Sequence, residues 1–259
     1  MMIELKTAYT LTRIPYITRD ALEDYAIRLV EDFDPERIRF PGVLDIDRFI
    51  TEYLELEIEV QRIWSEKTVR AVTVFKEGSV AVYDPATRRK SHILCSSGTV
   101  VVDSSLMYKQ AARRLRFTLA HEGAHWCMHR HTFAADNPFE QDCIAGNHFL
   151  AAKSGRADYN PGERTKTDLA RMEQQADFLA ASILMPLPAV NAATYCFFHE
   201  LGETPRTIIP KASNLDDHLA SQLPQFLADT FEVSAESASI RLKKLSYIAS
   251  GPKPSLTAL

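Results

Sequence analysis

The chain has 259 residues, of which 46% are hydrophobic and 25% are charged, a composition typical of a globular protein. Its formal net charge of −4 argues against a primary role in binding nucleic acid or an anionic membrane. There is no run of 18 or more apolar residues and no signal peptide after Met1, so no membrane span is expected. Four scattered cysteines without a Cys-x-x-Cys pair favour free thiols in a reducing cytoplasm: Cys95, Cys127, Cys143 and Cys196.

Hydrophobic periodicity predicts two helices and then a small sheet before residue 105. Apolar residues at helical spacing predict helices over Arg19–Phe33, with Thr18 as a candidate N-cap, and over Asp45–Leu54. The period then changes to two, which predicts strands over Leu56–Val60, Val69–Phe75, Val80–Tyr83, Ser91–Cys95 and Thr99–Val102. Lys76–Ser79 contains a glycine, and this predicts a hairpin between the second and third of these strands.

The most informative motif is His121-Glu122-Gly123-Ala124-His125, within a predicted helix over Arg113–His129. Histidines at i and i+4 lie on one face of a helix, about one turn apart, so both imidazoles can reach the same metal ion. Zinc is the expected metal, and Glu122 could take a proton from a metal-bound water without being a ligand.

A solvated helix with two histidines is the alternative interpretation of this motif. The flanking residues Phe117, Leu119 and Ala120 are apolar and predict that the helix is buried. Buried histidines and a buried glutamate need polar partners, and a metal site would supply them. The motif therefore favours a catalytic metal centre.

A catalytic zinc usually has three protein ligands, and Glu173 is the best candidate for the third. It lies near the start of a second apolar helix, predicted over Leu169–Met185 and ended by Pro186. Asp177 shares its helix face and could accept a hydrogen bond from the free N–H of a ligand histidine. The spacing alone is equally consistent with Glu173 as a surface carboxylate at the rim of the helix.

The remaining polar residues near the motif favour structural interpretations. His129 and His131 fit the negative end of the helix dipole better than extra ligand positions. Cys127 faces away from His125 and is interpreted as a small core residue. His148 and Tyr159 could steady an oxyanion, but the sequence favours surface positions for both.

Three segments resemble the ImmA/IrrE family of metallopeptidases. Arg116–His125 closely resembles its R-F-T-L-A-H-E-x-x-H signature, and Glu173–Pro186 resembles its second signature, E-x-x-A-[ND]-x-F-A-A-x-L-L-M-P, with the aromatic residue one place early. Val233-Ser234, followed by Arg241-Leu242 and Leu245, is similar to a late helix of that family, for which Ser234 is a candidate N-cap.

The resemblance implies an α+β zincin-like fold: a small twisted, mostly antiparallel sheet beside the helix that carries the motif, and a helical C-terminal half. The resemblance covers roughly residues 40–248. Together with the predicted elements it favours one domain over residues 1–248, in which 1–55 are N-terminal helices, 56–104 the sheet, 109–131 the motif helix, 132–167 an insertion and 168–248 the half with the third ligand. The tail, residues 249–259, and the first dozen residues are expected to be flexible.

The resemblance further implies one Zn²⁺ per chain, bound by His121, His125 and Glu173, with Glu122 as the catalytic base. The expected activity is that of a cytoplasmic zinc endopeptidase. Its expected substrate is a protein, typically a helix-turn-helix transcriptional repressor encoded nearby, whose cleavage releases stress, mobile-element or phage genes. No direct contact with nucleic acid is expected. The alternative is a regulatory, protein-binding module that retains the fold without hydrolysis.

Two further expectations concern the surroundings of the site. The insertion is long for the family; it could border the cleft as a flap or be a solvated excursion, and it predicts a short helix near Gln141–Lys153. The resemblance implies that the strand over Gly98–Asp103 lies at the sheet edge beside the cleft, where a substrate could add as a further strand. A buried strand with a neighbour on each side is the alternative for Gly98–Asp103.

Overall fold

A computed structural model describes residues 3–4, 14, 16–64, 69–133, 149–153 and 168–249. Within these residues the chain is a mixture of α-helices and a small mixed sheet, which confirms the α+β class. The largest group of buried apolar side chains runs from Ile17 to Ile248 and joins the N-terminal helices, the sheet and the C-terminal helices in one core.

The N-terminal helices lie where the periodicity predicts them. Helix α1 spans Arg19–Phe33, and the Thr18 side chain accepts a hydrogen bond from the backbone N–H of Ala21. A short helix α2 follows at Glu36–Arg39. The second predicted helix begins as α3, Ile46–Arg48, and continues as a wider π-helical turn, Phe49–Tyr53.

In the described part of the chain, six strands form two sheets: β1 Glu57–Gln61, β2 Val69–Val74, β3 Gly78–Asp84, β4 Arg89–Cys95, β5 Thr99–Asp103 and β6 Phe149–Lys153. The larger sheet has the order β1-β5-β2-β6, and only its β1–β5 pair is parallel. Strands β3 and β4 pair with each other as a separate antiparallel hairpin.

The predicted hairpin through Lys76–Ser79 is therefore wrong. Strands β2 and β3 belong to different sheets, and the hairpin turn lies instead at residues 85–88, between β3 and β4. The last four residues of β2, from Ala71 to Val74, are all buried, whereas β3 alternates between buried and more exposed residues. Strand β2 is buried along most of its length and pairs with β5 and β6, whereas β3 pairs with β4 in the next hairpin.

The predicted edge position of Gly98–Asp103 is also wrong. Strand β5 lies between β1 and β2, with Val100 opposite Ile58 on one side and Thr73 on the other. Its three central valines are fully buried. A substrate cannot add to a strand whose two edges are already paired, so the docking hypothesis for β5 is dropped.

Among the described residues, five longer helices follow β5: α4 Ala112–Phe133, α5 Asp168–Leu184, α6 Leu187–Glu200, α7 Asn214–Thr230 and α8 Ala235–Lys244. Two 3-10 turns, Ser104–Leu106 and Lys109–Ala111, connect β5 to α4. Ser234 caps α8 as predicted, because its side chain accepts from the N–H of Ser237 at 3.0 Å. Pro186 separates α5 from α6, and its position agrees with the predicted helix end.

Part of the insertion belongs to the sheet. Residues 149–153 form β6, antiparallel to β2, so the helix predicted near Gln141–Lys153 is wrong for these five residues. Residues 141–148 lie outside the described part of the chain, as do most of the first dozen residues and residues 250–259 of the predicted tail.

Among the described residues, no single helix combines the length and hydropathy needed to cross a membrane; residues 170–184 and 187–200 meet both criteria only when taken together, and they are bent by 55°. Three of the four cysteines are described, and Cys95, Cys127 and Cys196 form no disulfide among the described residues. Cys143 lies outside the described residues.

Candidate metal centre

The HExxH segment of α4 is held in the middle of the protein. All residues from Thr118 to His125 are buried. Gly123 lets α4 pack closely on the π-helical turn, because a Cβ at this position would lie 2.6 Å from Cδ1 of Ile50 and 3.0 Å from Cδ1 of Leu54. The small residue inside the motif therefore sets how deeply the helix lies against the N-terminal elements.

Helices α4 and α5 bring the three predicted ligands together. The Nε2 atoms of His121 and His125 are 3.0 Å apart, and each lies 3.5 Å from one carboxylate oxygen of Glu173. His121 and His125 are buried, and the Glu173 side chain is 19% exposed. Within the described residues, these three side chains form the group whose ligand atoms all lie within 4.8 Å of one another.

Glu122 projects beside this group from the sheet-facing side of α4. It is fully buried, and one of its oxygens, Oε2, accepts a short hydrogen bond from the Thr73 hydroxyl on β2. The other oxygen, Oε1, has no hydrogen-bond partner among the described residues. One carboxylate oxygen is thus held by the sheet, and the other could accept a proton.

The second nitrogen of each histidine also has a partner. Nδ1 of His121 is 2.9 Å from Oδ1 of Asp177, one turn after Glu173 on α5, as predicted. Nδ1 of His125 is 3.0 Å from Nδ1 of His129, whose Nε2 is 3.1 Å from Oε1 of Gln175. His129 and Gln175 are both fully buried. His129 is therefore a buried neighbour of the site and not the helix-end histidine that the sequence favours.

The electrostatic environment differs among the histidines. Burial, together with the nearby His125, lowers the pKa of His129 to about 3, so this ring is neutral near pH 7. Burial also opposes a charge on His121, but Asp177 and Glu173 outweigh it and raise the pKa of His121 well above its usual value. A proton or another cation is thus stabilised at the His121 ring.

The two glutamates shift in opposite directions. Burial would raise the pKa of Glu173, but His125 and His121 outweigh it and hold that pKa well below its usual range. Burial raises the pKa of Glu122, and the two histidines and Thr73 only partly offset this rise. Glu173 is therefore set up as an anionic ligand, and Glu122 as a group that can accept and release a proton.

The donor set fits a metal ion. If Nδ1 donates outward in both His121 and His125, the lone pairs of their two Nε2 atoms point at each other across 3.0 Å. This arrangement is repulsive unless a cation lies between the two nitrogens. The Glu173 carboxylate adds negative charge at the same point. His121, His125 and Glu173 could therefore hold a metal ion.

Sequence reasoning missed three residues around the site: Thr73, His129 and Gln175. The position of His129 near the site was predictable, because this residue continues the i, i+4 series of His121 and His125 on one helix face. The position of Thr73 was not predictable, since its contact with Glu122 depends on non-local packing of β2 against α4. The oxyanion candidates His148 and Tyr159 lie outside the described residues.

Comparison with known proteins does not add a family assignment: no family model matches the chain, and no curated protein sequence matches it.

Proposed function

We propose that the chain is a zinc-dependent endopeptidase of the kind implied by its resemblance to the ImmA/IrrE metallopeptidases. The observation that carries the proposal is the convergence of His121, His125 and Glu173 within 4.8 Å beside the buried carboxylate of Glu122. Two neutral nitrogen ligands and one carboxylate form the set that catalytic zinc sites of the His₂Glu type use.

The spacing of the ligand atoms supports zinc. Two ligands at about 2.0–2.1 Å from a tetrahedral zinc ion lie about 3.4 Å apart. The three ligand–ligand distances in the structure are 3.0, 3.5 and 3.5 Å. Three protein ligands leave a fourth tetrahedral position open, which is the arrangement of catalytic rather than structural zinc sites.

The residues of the chain have separate roles in the proposed reaction. Zinc, when bound, polarises a substrate carbonyl and lowers the pKa of a coordinated water to about 7. Oε1 of Glu122 accepts the proton of the attacking water and later donates it to the amide nitrogen of the leaving group. Thr73 holds Oε2 and so fixes the direction in which Oε1 points.

The proposed substrate is a protein, and the resemblance favours a helix-turn-helix transcriptional repressor encoded next to the gene for this chain. Thr73 of β2 contacts Glu122, and both edges of β2 are paired, with Val100 of β5 and Leu150 of β6 opposite Thr73. An extended substrate segment next to β2 would therefore bind in place of β6, or beyond β6, which is the strand at the end of the sheet.

The decisive experiment compares the wild type with Glu122→Gln, which keeps the size of the side chain and removes the base. Each protein is loaded with one equivalent of zinc and incubated with the purified neighbouring repressor, and the fragments are identified by mass spectrometry. The wild type is expected to cleave one or a few bonds. The variant should retain its zinc and lose about a hundred- to ten-thousandfold in rate.

His131→Ala is the matched control, because His131 lies on the same helix with its side chain 50% exposed and away from the site. It should cleave at the rate of the wild type. Equal cleavage rates in the wild type and Glu122→Gln would contradict the role of Glu122. Zinc bound without any cleavage of the repressor or of an unfolded protein such as reduced casein would instead support the non-hydrolytic binding module.

A further inference from the structure

The two histidine ligands are positioned by chemically different partners. His121 has a carboxylate partner, Asp177, whereas His125 has an imidazole partner, His129, which is itself in contact with Gln175. The carboxylate arrangement is common around metal sites. The imidazole arrangement raises the question of which ring nitrogen carries each proton.

The positions of the protons follow from the hydrogen bonds, starting at Gln175. Oε1 of Gln175 can only accept a hydrogen bond, so Nε2 of His129 must be the donor in the 3.1 Å contact. A neutral imidazole has one N–H and one lone pair, and therefore Nδ1 of His129 is an acceptor. The 3.0 Å contact between the two Nδ1 atoms then requires the proton to be on Nδ1 of His125.

We propose that His129 and Gln175 act together as positioning residues that hold His125 in the Nδ1–H tautomer and so direct the lone pair of its Nε2 at the metal position. Nε2 is the atom of His125 that lies 3.0 Å from Nε2 of His121 and 3.5 Å from Glu173. This inference rests on the proposed metal site, but it does not depend on peptidase activity.

Burial makes this arrangement effective. His125, His129 and Gln175 are all fully buried, so bulk water has no direct access to their polar atoms. Their contacts connect α4 to α5, the helix that also carries Glu173 and Asp177. Both ligand histidines are therefore oriented from α5, through Asp177 for one and through Gln175 and His129 for the other.

The first test reads the tautomer directly. Protein labelled with ¹⁵N-histidine is studied in its metal-free form near pH 7 by two-bond ¹H–¹⁵N NMR, and His125 is assigned by comparison with His125→Gln. The proposal expects a protonated Nδ1 and an unprotonated Nε2 in His125 of the wild type. An Nε2–H tautomer of His125 in the wild type would overturn it, whether or not any variant folds.

The second test measures zinc affinity by competition with a chromophoric chelator. His129→Phe keeps a ring in the space but removes the acceptor, and zinc binding should weaken about ten- to a hundredfold while reaching one ion per chain at saturation. His129→Asn places an amide oxygen near the position of Nδ1 and should recover part of the affinity. Gln175→Met, which has no acceptor oxygen, should weaken zinc binding in the same direction as His129→Phe.

His131→Ala again serves as the matched control and should bind zinc like the wild type. If His129→Phe does not fold, as judged by thermal melting, Gln175→Met and the wild-type tautomer decide the question. Zinc affinity within twofold of the wild type in folded His129→Phe or Gln175→Met would overturn the proposal. If the wild type shows no peptidase activity, the proposed function is contradicted, but the tautomer of His125 and the zinc affinities still test this proposal.

Discussion

Helix α5 contributes to two buried clusters of charged and polar side chains in the described part of the chain. Near the start of α5, Glu173 and Asp177 face the histidines of α4. Near its end, Ser182 joins a cluster in which Arg241 of α8 binds Glu23 of α1. Arg241 is 1% exposed, so this ion pair is as deeply buried as the metal centre.

The two clusters differ in whether they are complete. The Arg241 guanidinium donates to both carboxylate oxygens of Glu23 and to the backbone carbonyl of Met185, and Ser182 donates to the same carboxylate. In the metal centre, by contrast, two Nε2 atoms and a carboxylate converge, and Oε1 of Glu122 has no described partner. The first cluster balances its own charge and connects three helices, and the second could hold a metal ion.

The largest expected effect comes from removing a ligand of the metal centre. His121→Ala, His125→Ala or Glu173→Gln should each reduce the zinc content from about one ion per chain to a small fraction, since a catalytic site with two protein ligands binds zinc weakly. Metal analysis after dialysis against a mild chelator measures this. Thermal melting of each variant checks that it folds.

Full zinc occupancy in any of these three variants would exclude that residue as a ligand. The His131→Ala protein is the control for non-specific loss of metal, because its substituted side chain is 50% exposed.

The second expected effect is on the stability of the fold and not on the zinc content. Arg241→Met leaves the carboxylate of Glu23 buried without its partner, which should lower the free energy of unfolding by about 3–5 kcal/mol. The double variant Glu23→Gln with Arg241→Met removes both charges and should recover much of this loss. Chemical denaturation measures both, and zinc content per folded chain should be unchanged.

A double variant that is no more stable than Arg241→Met would show that the residues act through packing and not through their charges. A loss of zinc in folded Arg241→Met would show that the two clusters are coupled through α5 and do not act independently.

The two clusters also show what could be predicted from the sequence. His121, Glu122 and His125 were predictable because their relative positions follow from the geometry of one helix. Glu173 and Asp177 were predictable as a pair on a second helix, and the resemblance of that helix to a family signature selected them. The buried ion pair was not predictable, because Glu23 and Arg241 are 218 residues apart and nothing local indicates that they meet.

The sheet shows the same limit. The spans of β1 to β5 were predictable to within two or three residues, since alternation of side chains is a local property. Their partners were not, because pairing in the order β1-β5-β2-β6 depends on contacts distant in sequence. His129 was misinterpreted because α4 continues to Phe133, and the face that carries His129, Thr132 and Phe133 is buried.

A smaller effect is expected from Asp177→Asn, which keeps the shape of the side chain beside His121. Zinc affinity should fall about ten- to a hundredfold at high pH. The Asp177 carboxylate also raises the pKa of His121, so in the wild type zinc must displace a proton from this ring near neutral pH. The variant has a lower His121 pKa, and therefore the difference in zinc affinity between the two proteins should shrink as the pH falls.

Chelator competition at several pH values between 6 and 9 tests this. A difference in affinity that is constant over this range would show that Asp177 orients the ring without changing its proton affinity. No difference at any pH would show that the 2.9 Å contact contributes nothing to metal binding.

The smallest expected effect comes from Thr73→Val, which is close in size and removes the hydroxyl that donates to Glu122. Burial already raises the pKa of Glu122, and the Thr73 hydrogen bond lowers it, so the variant should have a still higher pKa at Glu122. Because the base must be deprotonated to act, the acid limb of the pH profile of kcat/KM should move to higher pH. At pH values well above that limb, the rate should fall only a few-fold through the looser orientation of Oε1, and the zinc content should match that of the wild type. A profile that shifts to lower pH, or a loss as large as that of Glu122→Gln, would mean that Thr73 has a role beyond its hydrogen bond to the base.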